Sequence, residues 1–395
     1  MINRRFLLRG LGGIACSAAA HPFLSTVTFA QSNGAVPLGD HRLIVVILRG
    51  AMDGLDAVQP VGDADFARLR PTLAGGGTDL DGFFALHSEL AGLMPLWQAG
   101  QLAFMHATST PYRDKRSHFD GQDLLEAGTG MDVAAAAVRD GWLNRMLQAV
   151  PGLTAETAYA LGRDAQPMLD GPAQARLWTP DVTLDLSAQS RLLLEHVYHD
   201  DDLFREAATE AMDLAAMGTP AAGEGGNARL GDIDALVDFA STRLMAETRI
   251  AAFSLSGWDT HRRQKAAITM SFKRLQHLIV QLQAGLGADV WGKTVLLAMT
   301  EFGRTVGENG SGGTDHGTGG VMFAAGGAVK GGRVLGQWPG LAEASLYDRR
   351  DLLPTSDVRA WAAWAMRGMY GFDRGLLEST VFPGLQMGDD PGLLA

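Results

Sequence analysis

Five short apolar runs alternate along this chain with longer stretches of helical period, and no other feature restricts the fold as much. The runs are HRLIVVILRG (41–50), QLAFMHA (101–107), RIAAFSLSG (249–257), KTVLLAMT (293–300) and GVMFAAGG (320–327). Each is a continuous apolar stretch rather than a polar/apolar alternation, so each reads as a buried parallel strand. Helical patterns over 118–127, 189–216, 232–249, 260–285 and 355–370 are interspersed with them. The expected fold class is therefore α/β, with a mostly parallel central sheet and helices on both faces. With 395 residues and 46% hydrophobic composition, the chain has material for one large domain or two smaller ones. No repeat of fixed period divides it.

The N-terminal segment has to be set aside before the fold is read. MINRRFLLRGLGGIACSAAAHPFLSTVTFA carries paired Arg4 and Arg5, then Phe6, Leu7 and Leu8, a weakly apolar Gly/Ala stretch and small residues up to Ala30. This pattern predicts a twin-arginine export signal over 1–30, recognised by the twin-arginine translocase, and a periplasmic or other extracytoplasmic location. The single cysteine, Cys16, lies inside that segment, so the mature chain has to hold any metal with His, Asp or Glu. Loss of Arg4, Arg5 and Arg9, with no acid lost, takes the formal charge from −11 to −14. Such an acidic chain is a poor partner for nucleic acid. No later stretch approaches the length of a membrane span, so no stable membrane insertion is expected.

Polar residues gather just beyond the ends of the runs. Asp53 and Asp56 follow the first in RGAMDGLDAV, Asp259 and His261 follow the third in SGWDTHRRQ, and Glu301 and Arg304 follow the fourth in TEFGRT. The next loop, GSGGTDHGTGG (310–320), sets Asp315 and His316 among six glycines. In open α/β sheets the ligand crevice lies at this edge. Any one of these carboxylates suits a helix cap, but together, with two Asp/His pairs, they read as a site. Carboxylate oxygens and imidazole nitrogens suit one or more divalent ions, and the imidazoles favour Zn or Mn over Mg or Ca. Glycine permits close backbone approach, so the loop reads as a clamp turning its ligands onto the strand ends.

Ser117, in KRSHFDGQDLLEAG, stands where the 118–127 helix begins. A helix start favours a phosphate or sulfate, which makes Ser117 a candidate nucleophile; the same position suits an ordinary N-cap serine. Its neighbours Arg116 and His118 are placed to assist, Arg116 as a fork to an oxyanion. STPYR (109–113) matches the Ser-x-Pro-x-Arg core of the sulfatase formylglycine motif, with Tyr112 where a small residue is usual, and makes Ser109 a second candidate. His196 and His199, in HVYHDDD, read as a solvated helix end, and His87 and His106 as buried, satisfied histidines.

MDGLDAV, RSHFDGQD, GWL, GWDTH, TEFGRT, NGSGGTDHG and VKGGRVLG, following a twin-arginine start, resemble the DUF1501 family of exported bacterial proteins, placed in the alkaline phosphatase and sulfatase superfamily. The resemblance covers nearly all of 31–395 and implies one alkaline phosphatase-like domain there. Ala51 stands at the second glycine of the more usual Gly-Gly-x-Asp-Gly. By position, the resemblance implies that Asp53 opens the metal site, Glu301 stands where a strand-end aspartate completes it, Asp259 and His261 form the next ligand pair, and His316 is the late histidine. Phe302 follows Glu301 where the superfamily commonly has histidine, so one metal position is short of a ligand or is supplied by Asp315.

Two functions follow. One is an exported metal-dependent hydrolase of phosphate or sulfate esters, small or polymeric, with Ser117 as nucleophile. The other is a non-catalytic periplasmic binding or assembly protein that retains the fold.

Overall fold

The computed structural model describes residues 38–113, 115–131, 140–162, 164–180 and 228–395, which belong to one compact unit. The export signal, the helical pattern at 189–216 and the HVYHDDD histidines lie outside the described residues.

All five apolar runs are strands: β1 (Arg42–Arg49), β2 (Leu102–Ser109), β5 (Ile250–Ser256), β6 (Thr294–Met299) and β7 (Gly320–Ala325). Shorter strands β3 (Ala158–Leu161), β4 (Arg176–Trp178), β8 (Arg333–Leu335) and β9 (Ser356–Asp357) extend the sheet. The order is β8-β2-β7-β6-β1-β5-β3-β4, with β9 paired to β2. β1 sits centrally, with Val45 registered between Ala252 of β5 and Leu297 of β6.

Because alternate strand residues point to opposite faces, β1 feeds two cores. Leu43, Val45 and Ile47 pack with α3 (Trp142–Gln148) and α6 (Val358–Tyr370) through Trp142, Met146, Trp361 and Met366. Ile44, Val46 and Leu48 pack with α4 (Ala228–Met245) and α5 (Gln264–Trp291) through Val237, Leu244, Phe272 and Leu278. All six β1 side chains are fully buried, each stabilising the fold by about 1.5–3 kcal/mol. The sheet is thus mostly parallel and covered on both faces, as expected. Among the described residues, no helix is long and apolar enough to cross a membrane.

One strand departs from the expected direction. β7 is antiparallel to both of its neighbours, β2 and β6. Parallel return needs a crossover, usually helical, and no helix forms in residues 300–319. The chain therefore stays at the edge where β6 ends and re-enters the sheet running the other way. The glycine loop is held at that edge at both ends.

Two short helices position the remaining polar groups. α1 (Gly54–Ala57) follows β1, and α2 (His118–Ala127) follows β2. Ser117 caps α2 by accepting the Asp120 N–H, and Gly128 ends it at φ +64.

Candidate metal centre

Three imidazoles and one carboxylate converge at this edge. Asp259 Oδ1, beyond β5, lies 3.0 Å from His261 Nε2, 3.2 Å from His316 Nε2 and 3.4 Å from His118 Nε2. His261 Nε2 and His316 Nε2 are 2.9 Å apart. Ligand atoms of His118, Asp259 and His316 all fall within 4.8 Å of one another. The glycine loop makes this possible by packing backbone on backbone. A Cβ on Gly313 would lie 2.4 Å from the His261 carbonyl carbon, and one on Gly317 would lie 2.4 Å from the Arg304 carbonyl carbon. Asn309 ties the same loop to the β5 side, donating to His261 O at 2.9 Å and Asp315 Oδ1 at 3.1 Å.

Each ring is aimed by its other nitrogen. His118 Nδ1 lies 2.8 Å from Glu301 Oε1, His261 Nδ1 lies 3.0 Å from Asp315 Oδ1, and His316 Nδ1 lies 2.8 Å from the Arg116 carbonyl. Ionised carboxylates and carbonyls only accept, so these contacts put the proton on Nδ1 and leave the Nε2 lone pairs facing Asp259. Lone-pair-bearing atoms at such distances repel unless a cation, either a proton or a metal ion, stands among them. His118 Nε2 is buried and has no hydrogen-bond partner. Imidazoles held from behind by carboxylate or carbonyl are the usual outer support of a metal site. The donor set, three nitrogens and one oxygen, suits a divalent transition ion. Side-chain exposures of 45% at Asp259 and 40% at His261 leave the centre open to solvent, unlike a closed structural site.

The charges around the centre are graded. The hydrogen bond to Glu301 raises the His118 pKa. Burial depresses that of His316. Burial acts to raise the Asp259 carboxyl, but the charge of Arg304, whose Nη2 donates to Oδ1 at 2.6 Å, holds it below its ordinary value. Arg304 is buried and also donates to the carbonyls of Gly50, Ala51, Trp258 and Thr314. It thereby staples the ends of β1 and β5 to the loop.

Glu301 and Asp315 stand behind the rings. Glu301 is fully buried and accepts from Gly50 N–H, His118, Gln122 and Thr300, so its oxygens are occupied by the chain. The strand-end histidine absent after Glu301 has a spatial counterpart, because Phe302 stacks on His118 at 5.2 Å and His118 meets Glu301 from α2. No spacing in the sequence signals this meeting, which depends on the α2 N-terminus lying against the β6 end.

Asp53 is not brought to the three-histidine group. It caps α1, accepting from Leu55 and Asp56 N–H, and its Oδ2 accepts from Arg70 at 2.7 Å, Gln264 at 2.7 Å and Thr314 at 3.2 Å. Gln264 Nε2 also donates to Asp56 Oδ2 at 2.9 Å. Asp53 and Arg70 are both fully buried. Burial acts to raise the Asp53 carboxyl, but the charge and hydrogen bond of Arg70, the Gln264 hydrogen bond and the Arg304 charge together hold it below its ordinary value, whereas burial and the Asp53 charge push Asp56 up to about 6.

Ser117 adopts the N-cap geometry, with its Oγ 3.4 Å from Asp120 N and its own N–H donating to Tyr112 Oη at 2.8 Å. Arg116 has φ +54, and its Nη2 lies 4.0 Å from Asp351 Oδ2. Ser109 is buried at the end of β2 and accepts from Arg113 at 3.2 Å. His106 is buried and satisfied as expected, with Nε2 2.9 Å from Val58 O, and burial lowers its pKa to about 4. His87 is half-buried, accepts the Glu89 N–H and lies against Phe272.

Among solved structures, the chain resembles the alkaline phosphatase of the Antarctic bacterium TAB5. A Mg-bound mutant of that enzyme gives a TM-score of 0.35 at 12% identity, covering 74% of this chain and 92% of that one. Ps i-CgsB in complex with k-i-k-neocarrahexaose gives a TM-score of 0.38 at 8% identity, covering 86% and 75%. A search of curated proteins returned no match. Residues 107–360 match the family model described as protein of unknown function (DUF1501), and the chain belongs to that family.

Proposed function

We propose that this chain is an exported, metal-dependent hydrolase of phosphate or sulfate esters, with His118, Asp259, His261 and His316 holding one divalent transition ion. The observation that carries this reading is the convergence of three Nε2 atoms on one carboxylate oxygen, each ring fixed through Nδ1. A bound ion there supplies charge stabilisation at an ester oxygen and activation of the attacking group. The protein's own part is orientation. Glu301, Asp315 and the Arg116 carbonyl keep the Nε2 lone pairs inward, and Arg304 keeps Asp259 ionised.

Ser117 is the candidate nucleophile. It adjoins His118, and the first-turn N–H groups of α2 favour negative charge beside it. In the covalent route, Oγ gives up its proton to solvent and bonds to phosphorus or sulfur as the ester oxygen departs with its electron pair and takes a proton from water; a second water then cleaves the new bond, returning a proton to Oγ and releasing phosphate or sulfate. The proposed domain organisation is a signal over 1–30, which delivers the folded chain through the twin-arginine translocase, followed by one domain over 31–395.

Metal analysis of the purified chain tests the centre, and His316→Ala is expected to lose the bound ion together with hydrolysis of aryl phosphates and sulfates. Ser117→Ala is expected to keep the ion and lose turnover. Full turnover in Ser117→Ala would assign the attack to water, and a metal-free, inactive parent would overturn the hydrolase reading. The 2.6 Å Arg304–Asp259 contact favours the alternative, a binding or assembly protein, because it partners Asp259 within the chain.

A further inference from the structure

A groove of about 410 Å³ opens beside the proposed centre. Asp315, which aims His261, is in its wall, and its apolar floor includes Leu69, Val306, Leu341 and Leu346. Arg68, Arg349 and Arg350 stand around that floor. The volume is within the range of small-molecule sites and far larger than one phosphate or sulfate group needs.

The backbone that carries two of these arginines is strained. Asp348 and Arg349 have φ of +50 and +56, and Arg350 N–H donates to Tyr347 O at 3.1 Å. This is a tight turn of the kind in which Asn-Gly is usual. Left-handed backbone is unfavourable at a residue other than glycine and concentrates at functional sites. Arg350 also couples the turn to the centre, donating to His316 O at 3.0 Å and to Asp351 Oδ1 at 3.0 Å.

Three carboxylates, Glu308, Asp315 and Glu343, share the lining with the three arginines, and the charges differ in how firmly the chain holds them. Glu308 is committed to Thr72 and Leu73, and Asp315 to His261 and Asn309. Arg68 and Arg349 are 65% and 77% exposed and, among the described residues, pair with Asp65 and Glu343 at the surface. Such surface pairs contribute little and exchange readily for another anion.

We infer that this groove is an anion-recognising subsite for the part of the substrate remote from the reacting ester, so that the substrate class is a polyanion with several ester groups on one carbon skeleton. The apolar floor takes the skeleton, and Arg68 and Arg349 take a second anionic group. This rests on the hydrolase reading for its adjacency to a reaction centre, but the binding it predicts is measurable without turnover.

The test is calorimetry at low salt with sucrose octasulfate, sucrose and inorganic sulfate as probes. The parent is expected to bind the octasulfate at least about tenfold more tightly than sulfate, to bind sucrose not at all, and to weaken as salt screens the contact. Arg68→Gln with Arg349→Gln is expected to lower octasulfate affinity by about tenfold or more. Equal affinity for octasulfate and sulfate in the parent, or an unchanged affinity in the double variant, overturns the subsite. The same measurements in His316→Ala separate the two readings. Octasulfate binding that persists there and still responds to the arginine substitutions supports the groove even if the metal centre fails.

Discussion

Two carboxylate clusters lie at the same sheet edge, and they do opposite things. Around Asp53 every lone pair is answered within the chain by Arg70, Gln264, Thr314 and the α1 N–H groups, and the whole cluster is buried. Around Asp259 three ring nitrogens face one carboxylate oxygen, one of them has no hydrogen-bond partner, and two side chains are close to half exposed. The first is a closed account of donors and acceptors and needs nothing further. The second leaves lone pairs directed at one another, which an added cation resolves. Residue type alone does not separate a structural carboxylate from a ligand. What separates them is whether the surrounding donors already satisfy it.

The sharpest way to break this comparison is to remove one side chain from each cluster. Asp53→Ala strands the buried Arg70 guanidinium, and loss of one partner from a buried pair costs about 3–5 kcal/mol. His316→Ala in chelator-treated protein should cost about 1 kcal/mol, since one partly exposed hydrogen bond is lost. Urea denaturation in the presence of chelator measures both. Equal losses would mean the two clusters are alike in kind.

A second substitution probes the support behind the rings. Glu301→Gln keeps shape but removes the charge that fixes the His118 Nδ1 proton, and loss of such outer support weakens metal affinity by about 10–100-fold. Competition with a chromogenic chelator reads that change directly. Unaltered affinity would leave Glu301 as a packing residue with no part in the centre.

A third test is the pH dependence of stability. Asp56 has its pKa raised to about 6 from an ordinary 3.8. A raised carboxyl favours folding below its ordinary pKa and loses that contribution as pH rises through the folded value. Asp53, whose pKa is lowered, acts in the opposite sense and loses its contribution as pH falls. Asp56→Asn removes the first of these, so the variant should gain stability relative to the parent as pH rises from about 4 to about 7. Urea midpoints across that interval check the sign, and a difference that stays constant with pH would show that Asp56 does not titrate there.

The amino-acid pattern sets the layered architecture. Runs such as IVVI and VLLAM are too uniformly apolar to be wet on either side, and helical period between them supplies the covering layers. It also determined that Asp259, His261, Asp315 and His316 lie in loops next to strand ends, because strand limits are visible as the switch from apolar runs to Gly and Asp. Which of these groups meet depends on three-dimensional packing. The antiparallel entry of β7 follows from the loop at 300–319 finding no helix to carry it back, and that is set by backbone packing at Gly313 and Gly317. His118 joins the histidines because α2 starts against Glu301, while Asp53, one residue type among several at the same edge, turns instead to Arg70. Local periodicity fixes which face a strand residue takes, but beyond a strand end the direction of a side chain depends on loop dihedrals and on partners distant in the chain, which no short-range pattern encodes.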